Sequence, residues 1–467
     1  MFLHRDMQNL YRIARPKKIC QAGITRISLK MFVSLCKYAK YRQFEQICRL
    51  KISVDSPKLN KFADIIAQAP IMQISEEFIK FVQDHINDDP RKLLLKGFRD
   101  KGFDVHFAIE QIEARRKTRI KLSEINSNAG FIYPSVISAE QATSEDVAGY
   151  KRSLFSGKYS SLCDLTGGLG IDTIYFSDVV SDVTYIERFE KYCEVASYNF
   201  TLLNKRNINI VNGDCEEFIN NCGTPFDTFY IDPARRGESN RRVFAFSDCE
   251  PDVLKLIPKL FSLSENIWIK SSPMVDISLA VSELGNVEEV YVISVKNECK
   301  ELLFRLNKQC QGTDPDIKCV DISSSGNSVF EFSLKDESSM PDAELSAPLS
   351  YLYEPFASVL KAGAFKSVAE RYGLFKLHKN SHLYTSAEYV ADFPGRKFTI
   401  SDVVPFKSSN IKGFRNLYPT ANITARNFPL KAEELRAKLK VGDGGDVYIF
   451  AAKCNRDDNT LLVCRKA

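Results

Sequence analysis

Three glycines and three acids recur at intervals that suit the binding of a nucleotide-like ligand. The run Asp164-Leu165-Thr166-Gly167-Gly168-Leu169-Gly170 follows a short apolar strand, Ser161 to Leu165, and precedes a helix-periodic segment. Glycine is the residue for such a turn because a Cβ blocks close approach of a ligand to the backbone, and because tight strand-to-helix turns demand positive φ. Glu187 then ends Val183-Thr184-Tyr185-Ile186, Asp214 ends the run from Ile208 to Gly213, and Asp232 ends Phe229-Tyr230-Ile231. Each acid stands where a parallel strand delivers its last residue to the ligand edge of an open sheet. One such acid alone is equally a solvated strand end or a helix cap. Their occurrence in series after a glycine turn is what points to a site.

The elements that must position them alternate. Ile171, Ile174, Tyr175 and Val179 share one helical face, and Tyr192, Val195, Ala196, Asn199 and Leu203 mostly share another. Strand and helix in alternation predict an α/β, doubly wound parallel sheet. Asn266 to Lys270 reads as a fifth strand and Val275 to Leu284 as a helix. Glu288 to Asn297 and Cys299 to Leu306 read as two strands joined by a tight turn. An antiparallel pair at the end of such a sheet is unusual for a dinucleotide dehydrogenase.

This order, with Asp164 to Gly170, Glu187, Asp214 and Asp232-Pro233-Ala234-Arg235, resembles the class I S-adenosylmethionine-dependent methyltransferases, whose Rossmann-like seven-stranded sheet ends in an antiparallel hairpin. More narrowly the chain resembles bacterial methyltransferases with a C-terminal THUMP-like domain, a family of RNA methyltransferases. The stretches that carry this are Gln111 to Lys117, Glu140 to Glu145, Asp232 to Arg236, Leu360 to Phe365 and Arg426 to Leu430, so that the likeness spans roughly residues 76 to 467.

The resemblance implies S-adenosyl-L-methionine as cofactor, with roles that the side-chain chemistry supports. Gly167, Gly168 and Gly170 would hold its methionine end, and Asp164 would orient the ammonium, directly or through water. Glu187 would accept from both ribose hydroxyls, a carboxylate having two oxygens for two donors. Asp214 would accept from the adenine amine. An NAD-type domain also places an acid about twenty residues after its glycines. Its fingerprint, however, needs a small residue where Thr173 stands, and it gives no reason for the Asp232 tetrapeptide.

That tetrapeptide resembles the Asp/Asn-Pro-Pro-aromatic motif of methyltransferases acting on exocyclic amines. The Asp232 side chain and the Pro233 carbonyl would accept from the target amine, orienting its lone pair and stabilising the charge that develops on nitrogen. Arg235 takes the place of the aromatic stacking residue and is the third candidate for the catalytic site. The same string resembles RNA uracil-5 methyltransferases, which use a cysteine near the end of the next strand. Here that region reads Trp268-Ile269-Lys270-Ser271-Ser272-Pro273, without cysteine, so direct in-line transfer is expected over covalent catalysis. The loop Arg235 to Phe246 adds Arg236, Arg241 and Arg242 with Phe244 and Phe246, a composition that fits phosphate contacts and base stacking, or a solvated basic loop with core-facing rings.

The expected partner is RNA, ribosomal or transfer. An RNA-binding or assembly factor that keeps a cofactor pocket without turnover is the alternative. The thirteen scattered cysteines lack a Cys-x-x-Cys pair. That argues against a zinc or iron–sulfur site and fits a cytoplasmic protein. No apolar run reaches membrane-spanning length. The formal charge of +5 is uneven: the first 44 residues hold ten Lys or Arg against Asp6 alone. Five regions follow: a basic helical extension 1–75, a helical domain 76–150, the methyltransferase domain 151–308, a ferredoxin-like α+β domain 309–395 and a THUMP-like α+β domain 396–467.

Overall fold

The computed structural model describes residues 74–98, 101–235, 246, 249–310, 312, 314–454 and 458–467. The basic extension, the Arg235 side chain, and Arg236, Arg241, Arg242 and Phe244 lie outside the described residues. Three helices open the described chain, and each is started by a local device. Ser75 accepts from the Phe78 amide ahead of Glu76–Asp84. Asp89 caps Pro90–Leu95 with proline at the first position, and Asp104 caps Val105–Thr118. Such caps satisfy amide donors that a helix start leaves unpaired. The faces of these helices meet around Phe78, Phe81, Leu93 and Ile112. The Gln111–Lys117 stretch proves to be scaffold. Arg115 is buried and donates to the carbonyls of Asn126, Asn128, Ala129 and Phe131, while Gln111 pairs with both backbone polar groups of Tyr133.

Two helices divided at Ala142 follow, Val136–Gln141 and Glu145–Phe155, the second beginning after Ser144. Beyond it lies the large sheet. Its strands are β1 (Ser161–Asp164), β2 (Asp182–Glu187), β3 (Ile208–Asn212), β4 (Thr228–Ile231), then, after a short pair β5 (Ala234–Arg235) and β6 (Cys249–Glu250), β7 (Asn266–Ser271), β8 (Val287–Val295), β9 (Glu298–Asn307), β10 (Asp316–Ser323) and β11 (Gly326–Ser333). The order is β3-β2-β1-β4-β7-β9-β8-β10-β11. β1, β2, β3, β4 and β7 are parallel, and β9 runs antiparallel to both β7 and β8. The chain reverses its direction of progress at β1 and β4, which is where open α/β sheets bind ligands.

The seven strands read from the sequence are all present, including the antiparallel pair β8 and β9, and two more extend the sheet. The strands β10 and β11, inside the region expected as ferredoxin-like, belong to this sheet instead, with β10 paired in parallel with β8. The reason is that β10 buries both faces: Ile317 and Cys319 join the core on one side of the sheet, Val320 and Ile322 that on the other. A strand apolar on both sides needs a sheet interior. The two layers of core divide likewise along β4, where Phe229 and Ile231 face one layer and Tyr230 the other.

The C-terminal region is built on a second sheet of seven strands: β12 (Tyr351–Pro355), β13 (Phe375–Lys376), β14 (Tyr384–Ser386), β15 (Gly395–Pro405), β16 (Asn422–Arg426), β17 (Tyr448–Cys454) and β18 (Asp458–Lys466), in the order β13-β14-β12-β15-β18-β17-β16. The segments before and after Gly395, expected as two units, thus share one sheet through β12 and β15. Gly395 is needed at this junction, because a Cβ there would stand 2.2 Å from the Glu354 carbonyl oxygen. Two helices follow β12, Ala357–Ala362 and Phe365–Tyr372, the first ended by Gly363 with a φ of +79°. No helix among the described residues is long and apolar enough to cross a membrane.

Candidate cofactor and acceptor site

A cleft of about 1080 Å³ opens at the carboxyl ends of β1, β2 and β4 and collects the predicted residues Asp164, Gly167, Gly168, Gly170, Glu187, Asp214, Asp232 and Pro233. Gln141 and Ser144, expected at its edge, also line it. The glycine turn rests on the Tyr185 ring. A Cβ on Gly167 would lie 2.1 Å from that ring, and the Tyr185 hydroxyl donates to the Gly168 carbonyl at 2.5 Å. Gly168 and Gly170 have φ of +54° and +84°, backbone that side chains rarely adopt. Gly167 is thus demanded by the aromatic ring beneath it, and Gly168 and Gly170 by their backbone angles.

Asp164 is only 2% exposed. One oxygen accepts from the Thr166 amide at 3.0 Å and the other from the Thr173 hydroxyl at 2.6 Å. Burial pushes its carboxyl up to about 7, against the lowering effect of those two hydrogen bonds. Burial favours the protonated acid, and a cation beside it would favour the ionised form. Glu187 sits across the turn, its two oxygens accepting from the Gly168 amide at 3.0 Å and the Phe189 amide at 2.8 Å. A carboxylate carries about four lone-pair sites, so two acceptor positions remain after these bonds. Asp214 is exposed and accepts from the Glu216 and Glu217 amides through one oxygen, capping the helix Cys215–Asn221. Its local role is therefore that of a helix cap at the cleft wall.

Asp232, at the end of β4, is tied to the glycine turn, its amide donating to the Thr166 hydroxyl at 2.7 Å. Sequence reasoning missed its partner. Lys270, at the carboxyl end of the neighbouring strand β7, places its ammonium 2.5 Å from the Asp232 carboxylate and 3.3 Å from the Thr143 hydroxyl. Thr143 in turn donates to Asp172, which accepts from the Tyr230 hydroxyl at 2.8 Å and pairs with Lys151 at 2.9 Å. Lys151 reaches Glu301 at 2.9 Å as well. Two ammonium groups and three carboxylates thus form one connected cluster under the cleft. Burial opposes the charge of Lys270, but Asp232, Glu301 and Asp172 outweigh it and hold its ammonium above the ordinary lysine range. Burial likewise opposes ionisation of Asp172, yet Lys151 and Lys270 hold its carboxyl below the usual range, while burial keeps that of Glu301 above it. The available signal was a lysine closing an apolar strand and another, Lys151, on an apolar helix face.

Arg235 contributes backbone to β5, which pairs with β6 beside the cleft. Phe246, a candidate for stacking on a base, is 1% exposed and packs against Phe304 at 5.8 Å, so its ring belongs to the core. Among the described residues no three His, Cys, Asp or Glu side chains converge as metal ligands.

Residues 351–394 match the family model of a ferredoxin-like domain, and residues 395–466 that of a THUMP domain-like unit. A crystal structure of a candidate methyltransferase from Porphyromonas gingivalis W83 is 34% identical, covers 85% of this chain and all of its own, and superposes with a TM-score of 0.77. An uncharacterised RNA methyltransferase of Mycoplasma mobile is 27% identical over 153 residues, 32% of this chain, which spans 39% of that relative's length. With a solved relative matched along its whole length and both C-terminal units accounted for, the chain belongs to the family of class I S-adenosylmethionine-dependent methyltransferases that carry ferredoxin-like and THUMP-like C-terminal domains.

Proposed function

We propose that this protein transfers the methyl group of S-adenosyl-L-methionine to an exocyclic amine of an RNA base, by direct in-line displacement, in the cytoplasm. The observation that carries the reading is the bond from the Asp232 amide to Thr166, which couples an acceptor-binding carboxylate to the glycine turn within one cleft. The residues present fit the cofactor. Asp164 is a buried acid with no cation beside it among the described residues, Glu187 retains acceptor positions next to the turn, and the positive-φ glycines carry no side chain there. When bound, the cofactor supplies an electrophilic methyl group on a sulfonium.

The chain's own residues do the rest. The Gly167–Gly170 turn and Asp164 would hold the amino-acid end, and Glu187 the ribose. The remaining Asp214 oxygen would accept from the adenine amine. Asp232 and the Pro233 carbonyl would accept from the target amine, fixing its lone pair along the transfer line and opposing the positive charge that develops on nitrogen. The choice of RNA is supported by the Mycoplasma mobile relative's name and by the THUMP-like unit; whether ribosomal or transfer RNA is the substrate is decided by experiment. The test is mass spectrometry of nucleosides from cells with and without the protein. Loss of one amine-methylated nucleoside is the expected result. An unchanged profile, with purified protein that binds cofactor and RNA yet transfers nothing, would replace the enzyme by an RNA-binding factor.

A further inference from the structure

The Asp232–Lys270 pair has a consequence for which amine can be accepted. Lys270 is fixed from both sides, by Asp232 at 2.5 Å and by Thr143 at 3.3 Å, with its side chain 13% exposed against 41% for Asp232. Both residues line the cleft. An ammonium has three donors, and among the described residues Asp232 and Thr143 account for two. A carboxylate acceptor and an ammonium donor therefore stand side by side at the mouth of the acceptor end. We infer that Asp232 and Lys270 together read the acceptor as a planar –C(=N)–NH2 edge, with Asp232 accepting from the amine and Lys270 donating to the adjacent ring nitrogen.

Adenine, cytosine and guanine present such an edge. Uracil has no exocyclic amine, and an aliphatic amine has neither the neighbouring lone pair nor neutrality at pH 7. Lys270 remains charged there, because three carboxylates surround its ammonium. A second ammonium brought to Asp232 is repelled at contact distance by the first. The pair thus excludes polyamines and lysine side chains, which Asp232 alone would attract. This assignment makes Lys270 a specificity-determining residue, and it rests on the methyltransferase reading above.

The experiment compares wild type, Lys270→Met and Lys270→Arg. Radiolabelled S-adenosylmethionine is the donor, and RNA from a strain lacking the protein, or spermidine, is the acceptor. Cofactor affinity is measured by calorimetry and folding by thermal melt. Lys270→Met is expected to lose about 10- to 100-fold in kcat/KM for RNA, the range for one charge-assisted hydrogen bond. Cofactor affinity is expected to stay within about twofold, and Lys270→Arg to restore part of the rate. Wild type labels an amine-bearing nucleoside and leaves spermidine unlabelled. Full RNA activity in a folded Lys270→Met protein overturns the inference while leaving the methyltransferase reading intact, as does label on uridine or a wild-type preference for spermidine. If Lys270→Met does not fold, the identity of the labelled nucleoside and the spermidine result still decide. No transfer by wild type to either acceptor overturns the proposed function and the inference with it.

Discussion

Cofactor affinity should depend on pH through Asp164, and the size of the effect follows from its burial. The carboxyl is pushed up to about 7 from an ordinary 3.8 by removal from water, because the Thr166 amide and the Thr173 hydroxyl repay only part of the lost hydration. The sign for stability is the reverse of the usual carboxylate. The folded protein holds a proton that the unfolded chain has released between those two values. Asp164 therefore contributes stability below about pH 4 that is lost progressively as pH rises to about 7, up to roughly 4 kcal/mol. An ammonium placed beside the carboxylate favours the ionised form. Below pH 7 the binding of a cationic amino-acid group must then expel the proton, and affinity falls about tenfold per pH unit. Between pH 7.5 and pH 6 the dissociation constant should rise by about eightfold, with about one proton released at the lower pH. Calorimetry in two buffers of different ionisation enthalpy reads both quantities. In Asp164→Asn the dependence should vanish and affinity at pH 7.5 should fall. An affinity flat from pH 6 to 7.5 in wild type, with no proton release, would remove Asp164 from the ammonium site.

Glu187→Ala should weaken cofactor binding by about 1.5 to 3 kcal/mol, the range for hydrogen bonds to a charged group, and a folded variant with unchanged calorimetric affinity would take Glu187 out of the ribose site. Asp232→Ala should leave cofactor affinity nearly intact and lower methyl transfer by about 10²-fold or more, since its interaction strengthens as charge develops on the amine; equal loss in binding and turnover would contradict this. Gly167→Ala should destabilise the fold by about 1 to 3 kcal/mol or more in urea titration, because its Cβ meets the Tyr185 ring. Lys151→Met should cost about 3 to 5 kcal/mol by leaving Asp172 and Glu301 buried without their ammonium, and a melt at the wild-type temperature would refute that role. Replacing Arg241 and Arg242 by alanine should flatten the salt dependence of RNA binding by about 1.4 in the log–log slope, read from affinities at several salt concentrations.

The local parts of this protein were legible in its residues. Alternating strands and helices, the glycine turn and an acid at the end of each of the first four strands are set by nearest neighbours along the chain, through period, φ requirement and strand ends. The antiparallel pair that closes the seven-stranded part of the sheet followed from the resemblance that these features carried. What lay beyond was decided by residues far apart in sequence. That β10 joins the large sheet depends on two apolar faces finding an interior place beside β8, and that β12 pairs with β15 depends on the absence of a Cβ at Gly395. Phe246 reads either as a stacking ring or as a core-facing one, and packing against Phe304 decides for the core. The acceptor site shows the division most clearly. Asp232 was identified as the residue after a strand, but its partner comes from the end of the next strand in the sheet, 38 residues on, and the acids that keep that partner charged come from a helix start at Asp172 and from β9 at Glu301. Charge pairing of this kind has no period and no local motif. It exists because adjacent parallel strands deliver their last residues to one edge, and because burial then leaves each ammonium and carboxylate only the other to replace water.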